Sequence, residues 1–143
     1  MPSFHFSATI NKTYRAALEK LFYFNPGQSR YFDRIVETVE TFGQPKIAEM
    51  NGMLTLDVES LPDSSTVFVC HGNHLVGVVI YFKETETMLN VLHFAVDSTF
   101  SLKGSQGSLM LMPVMMEEMI RIAQRESNIT HIKISYTQRL VKV

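Results

Sequence analysis

His93-Phe94-Ala95-Val96-Asp97, then Lys103-Gly104-Ser105-Gln106-Gly107-Ser108, then an apolar segment reaching Ala123: this stretch decides the fold. It reads as the end of a strand, a Gly/Ser-rich loop and a helix. Leu109, Met112, Met116, Met119, Ile120 and Ala123 recur on one side of the helix, with Glu117, Glu118, Arg121 and Arg125 largely on others. At this spacing the methionines are core filler rather than a flexible recognition surface. Pro113 is expected to bend the helix or delay its regular start, since its ring and missing N–H disrupt a helical turn. Ile129, Ile132, Ile134 and Tyr136 define a further strand. A strand, a helix of this length and a second strand make a crossover unit, which sets that strand parallel to Met88–Val96.

Upstream, Phe4, Phe6 and Ala8 alternate with His5 and Ser7 as in a half-buried first strand. Asn11 or Thr13 can cap a helix carrying Tyr14, Ala17, Leu18, Leu21 and Phe22, which Asn25-Pro26-Gly27 ends in a turn. A second helix starts near Ser29, buries Tyr31, Ile35, Val36, Val39 and Phe42, and has Gly43 placed for its C-cap. Beyond Pro45 the period drops to two. Strands are expected at Met53–Val58, Thr66–Val69, Leu75–Phe82 and Met88–Val96, with His71-Gly72-Asn73-His74 as a hairpin in which Gly and Asn supply the positive-φ positions. No repeat or low-complexity linker divides the chain, so residues 1–143 are expected to form one domain. The fold class is α+β: a mixed, mainly antiparallel central sheet with one parallel strand pair, flanked by helices.

Composition narrows the function classes. Lys and Arg number 13 against 14 Asp and Glu, spread along the chain, so nucleic-acid binding is not expected. Leu109–Met116, the longest apolar run, is far short of a membrane span, and Met1–Ile10 is too short and polar for a signal peptide. A cytoplasmic protein without a membrane partner is therefore expected. Cys70, the single cysteine, cannot form an internal disulfide and reads as an ordinary buried strand cysteine, and no Cys/His spacing suggests a metal.

The chain resembles the GNAT superfamily of acyl-CoA-dependent N-acetyltransferases. The element order agrees, and three local patterns carry the likeness: Gly72-Asn73-His74-Leu75-Val76-Gly77-Val78, Leu89–Asp97, and Gly107-Ser108-Leu109-Met110 followed by Val114-Met115-Met116-Glu117-Glu118. The resemblance implies acetyl-CoA or another acyl-CoA as co-substrate and a small-molecule or peptide amine as acceptor. Phe94, Ala95 and Val96 would lie beside the pantetheine, and Lys103, Gly104, Ser105, Gln106, Gly107 and Ser108 would cradle the phosphates. Backbone N–H groups in a Gly-rich turn, followed by a helix N-terminus, make an anion site without side chains.

The departures are equally specific. The family's Arg/Gln-x-x-Gly-x-Gly/Ala pattern is met in no register: with Gly104 as first glycine, Ser101 and Gln106 take the other positions. A ligand-free Ser/Gly-rich loop is the plain alternative. Asn90 falls where many members carry an acidic base, and Asn has no useful base function. His93, at odd spacing from Asn90, is expected on the opposite side of the sheet and is read as a structural or surface histidine. Glu84 and Glu86 read as solvated turn residues, and Tyr136 lies within a strand, so no catalytic residue is assigned. After that strand only seven residues follow, from Thr137 to Val143, where the family continues with a helix and two strands. An exposed sheet edge results, and Leu140, Val141 and Val143 are expected to supply a strand to a second subunit in a homodimer. Two other readings stay open, a non-catalytic module of the same fold and an unrelated α+β domain. A parallel pairing of the Met88–Val96 and Ile129–Tyr136 strands, splayed at Val96, is required by the family reading and separates it from the latter.

Overall fold

The computed structural model describes residues 4–23, 32–100, 104, 106–107, 110–126, 128–135 and 139–143. The Asn25-Pro26-Gly27 turn, Ser29, Tyr31 and Tyr136 lie outside them. The chain opens with β1 (Phe4–Ser7), where Phe4 and Phe6 are half-buried in alternation as expected. The short β2 (Ile10–Asn11) ends in a cap: Asn11 Oδ1 accepts a hydrogen bond from the Thr13 amide at 2.9 Å, starting a 3₁₀ turn that runs into α1 (Arg15–Tyr23). Asn11, not Thr13, is thus the capping residue. After α2 (Phe32–Phe42), Gly43 at φ +92° donates its amide to Val39 O at 2.8 Å, the left-handed cap expected of it.

Next come β3 (Lys46–Met50) and β4 (Met53–Asp57), joined by Asn51-Gly52 at φ +55° and +79°. Two consecutive left-handed residues make a type I′ turn, whose twist matches that of the strands. β4 is the expected Met53–Val58 strand and β3 was not foreseen. With β2 they form a separate sheet ordered β2-β4-β3.

The main sheet is built from β1, β5 (Ser65–His71), β6 (His74–Thr85), β7 (Met88–Val96), β8 (His131–Ile134) and β9 (Arg139–Lys142), in the order β1-β5-β6-β7-β8-β9. All neighbours are antiparallel except β7 and β8, which run parallel with Met88 opposite His131 and Val91 opposite Ile134. The helix α3 (Leu111–Arg125) makes the crossover between them. The fold is therefore α+β, with a mixed six-stranded sheet and one parallel pair. No helix among the described residues is long and apolar enough to cross a membrane.

Two expectations are corrected in detail and a third is narrowed to one of its alternatives. The tail expected to reach a second subunit forms β9 and pairs within its own chain, Val141 opposite Ile132, so burying Val141 and Val143 against the core at home takes up the alternation that suggested a swap. In the β5–β6 turn only Gly72 has positive φ (+60°) and Asn73 does not, the pattern of a type II′ turn. Finally, α3 begins at Leu111, after Met110 at φ +59°. Pro113 therefore sits in the first turn, where a missing N–H breaks no helical bond, and the helix starts late rather than bending. The buried stripe follows that start: it is Leu111, Met115, Met119 and Ala123, at i, i+4 spacing, with Glu118 beside it.

The sheet separates two cores. On one face α3 packs on Val67, Val69, Val79, Leu89, Val91 and Ile132. On the other, Leu18 and Leu21 of α1 and Leu54 and Leu56 of the small sheet pack on Phe68, Val78, Ile80, Leu92 and Ala95. Gly77 allows the close approach on the α3 side, since a Cβ there would stand 2.8 Å from Met115 Sδ and 2.9 Å from its Cε.

Candidate functional site

The last residues of β7 are placed by a β-bulge. Directly opposed residues of antiparallel strands face the same side. Tyr81 opposite Val91 and Val79 opposite Phe94 look toward α3, whereas Ile80 opposite His93 and Val78 opposite Ala95 look toward α1. Between His93 and Val91 the register skips Leu92, which also lies in the α1 core. Asn90, opposite Phe82, and His93 consequently share the α1 side. This overturns the parity argument that put them on opposite sides, which holds only for an unbroken strand.

Neither residue is set up as a base. The Ser135 hydroxyl donates to Asn90 Oδ1 at 2.7 Å, in a buried bond that joins β8 to β7 where their ladder ends. The His93 ring is 2% exposed and packs edge-on against Phe22, centroids 5.8 Å apart. Burial disfavours the imidazolium and lowers its pKa to about 4, so His93 is neutral at pH 7. Glu84 and Glu86 are solvated as expected, pairing with Lys133 at 3.7 Å and Lys83 at 3.6 Å. Cys70 is half-buried, and burial raises its thiol pKa, away from the thiolate that nucleophilic catalysis needs.

Of the residues expected to hold an acyl-CoA, Ala95 is buried toward α1, Val96 is buried toward α3 and Phe94 is half-buried toward α3. All three lie beyond the last β7–β8 ladder pair, Val91 with Ile134. Lys103, Ser105 and Ser108 fall outside the described residues; Gly104, Gln106 and Gly107 do not. Gly104 lies flat against the Ser98 and Thr99 carbonyls, where any Cβ would overlap backbone. The Gln106 amide donates to Thr99 O at 2.8 Å, Gly107 to Gly104 O at 3.0 Å and Met110 to Gly107 O at 3.1 Å. These three amides are committed to the loop's own carbonyls, and Pro113 supplies none. The amides of Leu111 and Met112, which open α3, are those that helix geometry turns outward.

A cavity of about 530 Å³ adjoins this loop, and no sequence motif marks it. Its floor is Leu21, Leu75, Val76 and Phe100, and Lys20, His71, His74, Asp97 and Gln106 stand at its rim. The type II′ turn places His71 directly across from His74. The His71 ring is held between Phe4 and Phe100, with centroids at 5.3 and 5.6 Å. Asp97 Oδ1 accepts from the Thr99 amide at 2.9 Å, which shapes the turn that closes the cavity. Among the described residues no group of three or more His, Cys, Asp or Glu is arranged to hold a metal. A scan against models of protein families finds no match to this chain, and a search of curated proteins finds none either.

Proposed function

We propose that this chain is a GNAT-like domain that binds acetyl-CoA or a related acyl-CoA beside the C-terminal half of β7. One observation carries the reading: a parallel β7–β8 pair, joined through α3, whose last ladder pair among the described residues is Val91 with Ile134 while β7 runs on to Val96. That leaves an acyl-pantetheine chain a place alongside Phe94, Ala95 and Val96, with the Leu111 and Met112 amides and the positive end of α3 beyond them for phosphate. The departures in the loop concern affinity. With Gln106, Gly107 and Met110 amides already bonded, less of the loop is available for pyrophosphate than an open glycine turn offers.

Transfer of the acyl group to an amine needs a group that takes the amine's proton. Asn90 is occupied by Ser135 and His93 is sealed and neutral, which favours a second reading: a non-catalytic module of the same fold, for ligand sensing or protein interaction. Calorimetric titration with acetyl-CoA tests the first reading, and release of free CoA in the presence of candidate amines separates the two. Binding with turnover supports an N-acetyltransferase; binding without turnover supports the sensing module. Absence of heat and of thermal stabilisation with acetyl-CoA and with CoA would sink the acyl-CoA reading.

A further inference from the structure

We propose that the cavity bounded by α1, the β5–β6 hairpin tip and the Asp97–Phe100 turn binds a small organic monoanion, a carboxylate with an apolar body. This site is distinct from the one assigned to acyl-CoA, because its lining includes none of Phe94, Ala95, Val96, Leu111 and Met112 and meets the loop after β7 only through Asp97–Phe100 and Gln106.

The volume of about 530 Å³ falls in the range that holds small ligands. Its floor is fully apolar: Leu21, Leu75, Val76 and Phe100 are each buried. An inorganic anion would leave that floor uncovered, whereas an alkyl or aryl body covers it.

The rim sets the charge. Its one ammonium, on Lys20, stands with one carboxylate, Asp97, an oxygen of which already takes the Thr99 amide, and the rings of His71 and His74 add N–H groups able to donate to an anion. Lys20 joins none of the ion pairs formed among the described residues, so its ammonium is uncompensated there. Once the apolar body excludes water from the floor, a carboxylate at the rim gains a charge-assisted hydrogen bond that a neutral hydroxyl cannot match. The pair is also preorganised: the two-residue turn fixes the histidines opposite each other, and Phe4 and Phe100 hold His71.

The probe is 3-phenylpropionate, titrated into the isotope-labelled full chain and followed through the amide resonances of Leu75, Val76 and Asp97. Saturable shifts with a Kd on the order of 1 mM are expected for a ligand of this size. The neutral 3-phenylpropan-1-ol should bind about tenfold more weakly, and so should the acid to Lys20→Gln, an exposed position whose change leaves the fold intact. Lys46→Gln, also exposed and on β3, serves as the control that leaves affinity unchanged. Equal binding of acid and alcohol, or a Lys20→Gln variant that binds like the parent, would overturn the anion assignment. Absence of saturable shifts at about 10 mM acid would overturn the site itself. Saturating acetyl-CoA should leave the shifts in place; displacement of the acid would overturn its separateness. Acetyl-CoA affinity, read in its own titration, reports on the acyl-CoA reading independently.

Discussion

At His93 burial and titration meet in one side chain. Its folded pKa of about 4 lies below the ordinary 6.5, so the unfolded chain takes up a proton at a pH where the folded protein does not. The corresponding stability is fully present above pH 6.5 and is lost as pH falls toward 4, by about 3 kcal/mol across that window. Urea unfolding at pH 7 and pH 5 should show the drop, and His93→Gln should flatten it; an equal drop in the variant would assign the effect elsewhere. Gly104 makes a second case. Because its Cα lies against the Ser98 and Thr99 carbonyls, Gly104→Ala must displace the loop, destabilising the fold by about 1–3 kcal/mol and, on the acyl-CoA reading proposed above, weakening acetyl-CoA binding. A melting temperature and affinity both unchanged would refute it. Neither role could be read from residue types alone. The burial of His93 was within reach of the sequence, but its side depended on the Leu92 bulge, which alternation cannot report. The close packing of Gly104 depends on a backbone distant by several residues.

Among elements, α3 and β6 meet through a glycine. Gly77→Ala pushes a methyl into the Met115 thioether and should destabilise by about 1–3 kcal/mol. Met115→Ala in the same chain removes the obstacle, so the two changes should be strongly non-additive, with the double variant more stable than the sum of the singles implies. Additivity in denaturant unfolding would show that the contact carries no strain. The strands of the main sheet other than β9 were legible because Phe4 and Phe6 alternate with polar neighbours and Leu75–Ile80 is an unbroken apolar run, and α3 because its apolar residues recur at helical spacing. β3 was missed for the opposite reason: Lys46-Ile47-Ala48-Glu49-Met50 is short, mostly exposed and without alternation. Asn51-Gly52 between two candidate runs was the signal that could have found it. The expected stripe on α3 differs from the observed one because the helix begins at Leu111, a start that spacing alone does not set.

For the molecule as a whole, the tail paired in place changes what the sheet presents to other molecules. A homodimer through this end of the sheet has to use the outer edge of β9, where Arg139 and Lys142 discourage edge-to-edge pairing of like chains. Replacing both with Gln should increase self-association, seen by light scattering at micromolar concentration as a mass above the 16.3 kDa of one chain. An unchanged mass would mean that charge does not guard this edge. The order of elements and the parallel pair could be anticipated from the pattern. The cavity at the hairpin tip could not, because it assembles Lys20, His74 and Asp97 from three elements with no shared motif. The division into two cores carries a last consequence. β6 is paired on both edges and sends Val79 to one core and Val78 and Ile80 to the other, so neither core can open without stripping one face of the same strand. In native-state hydrogen exchange the Val78, Val79 and Ile80 amides should therefore be released only by global unfolding, while those of β9 exchange through local fraying.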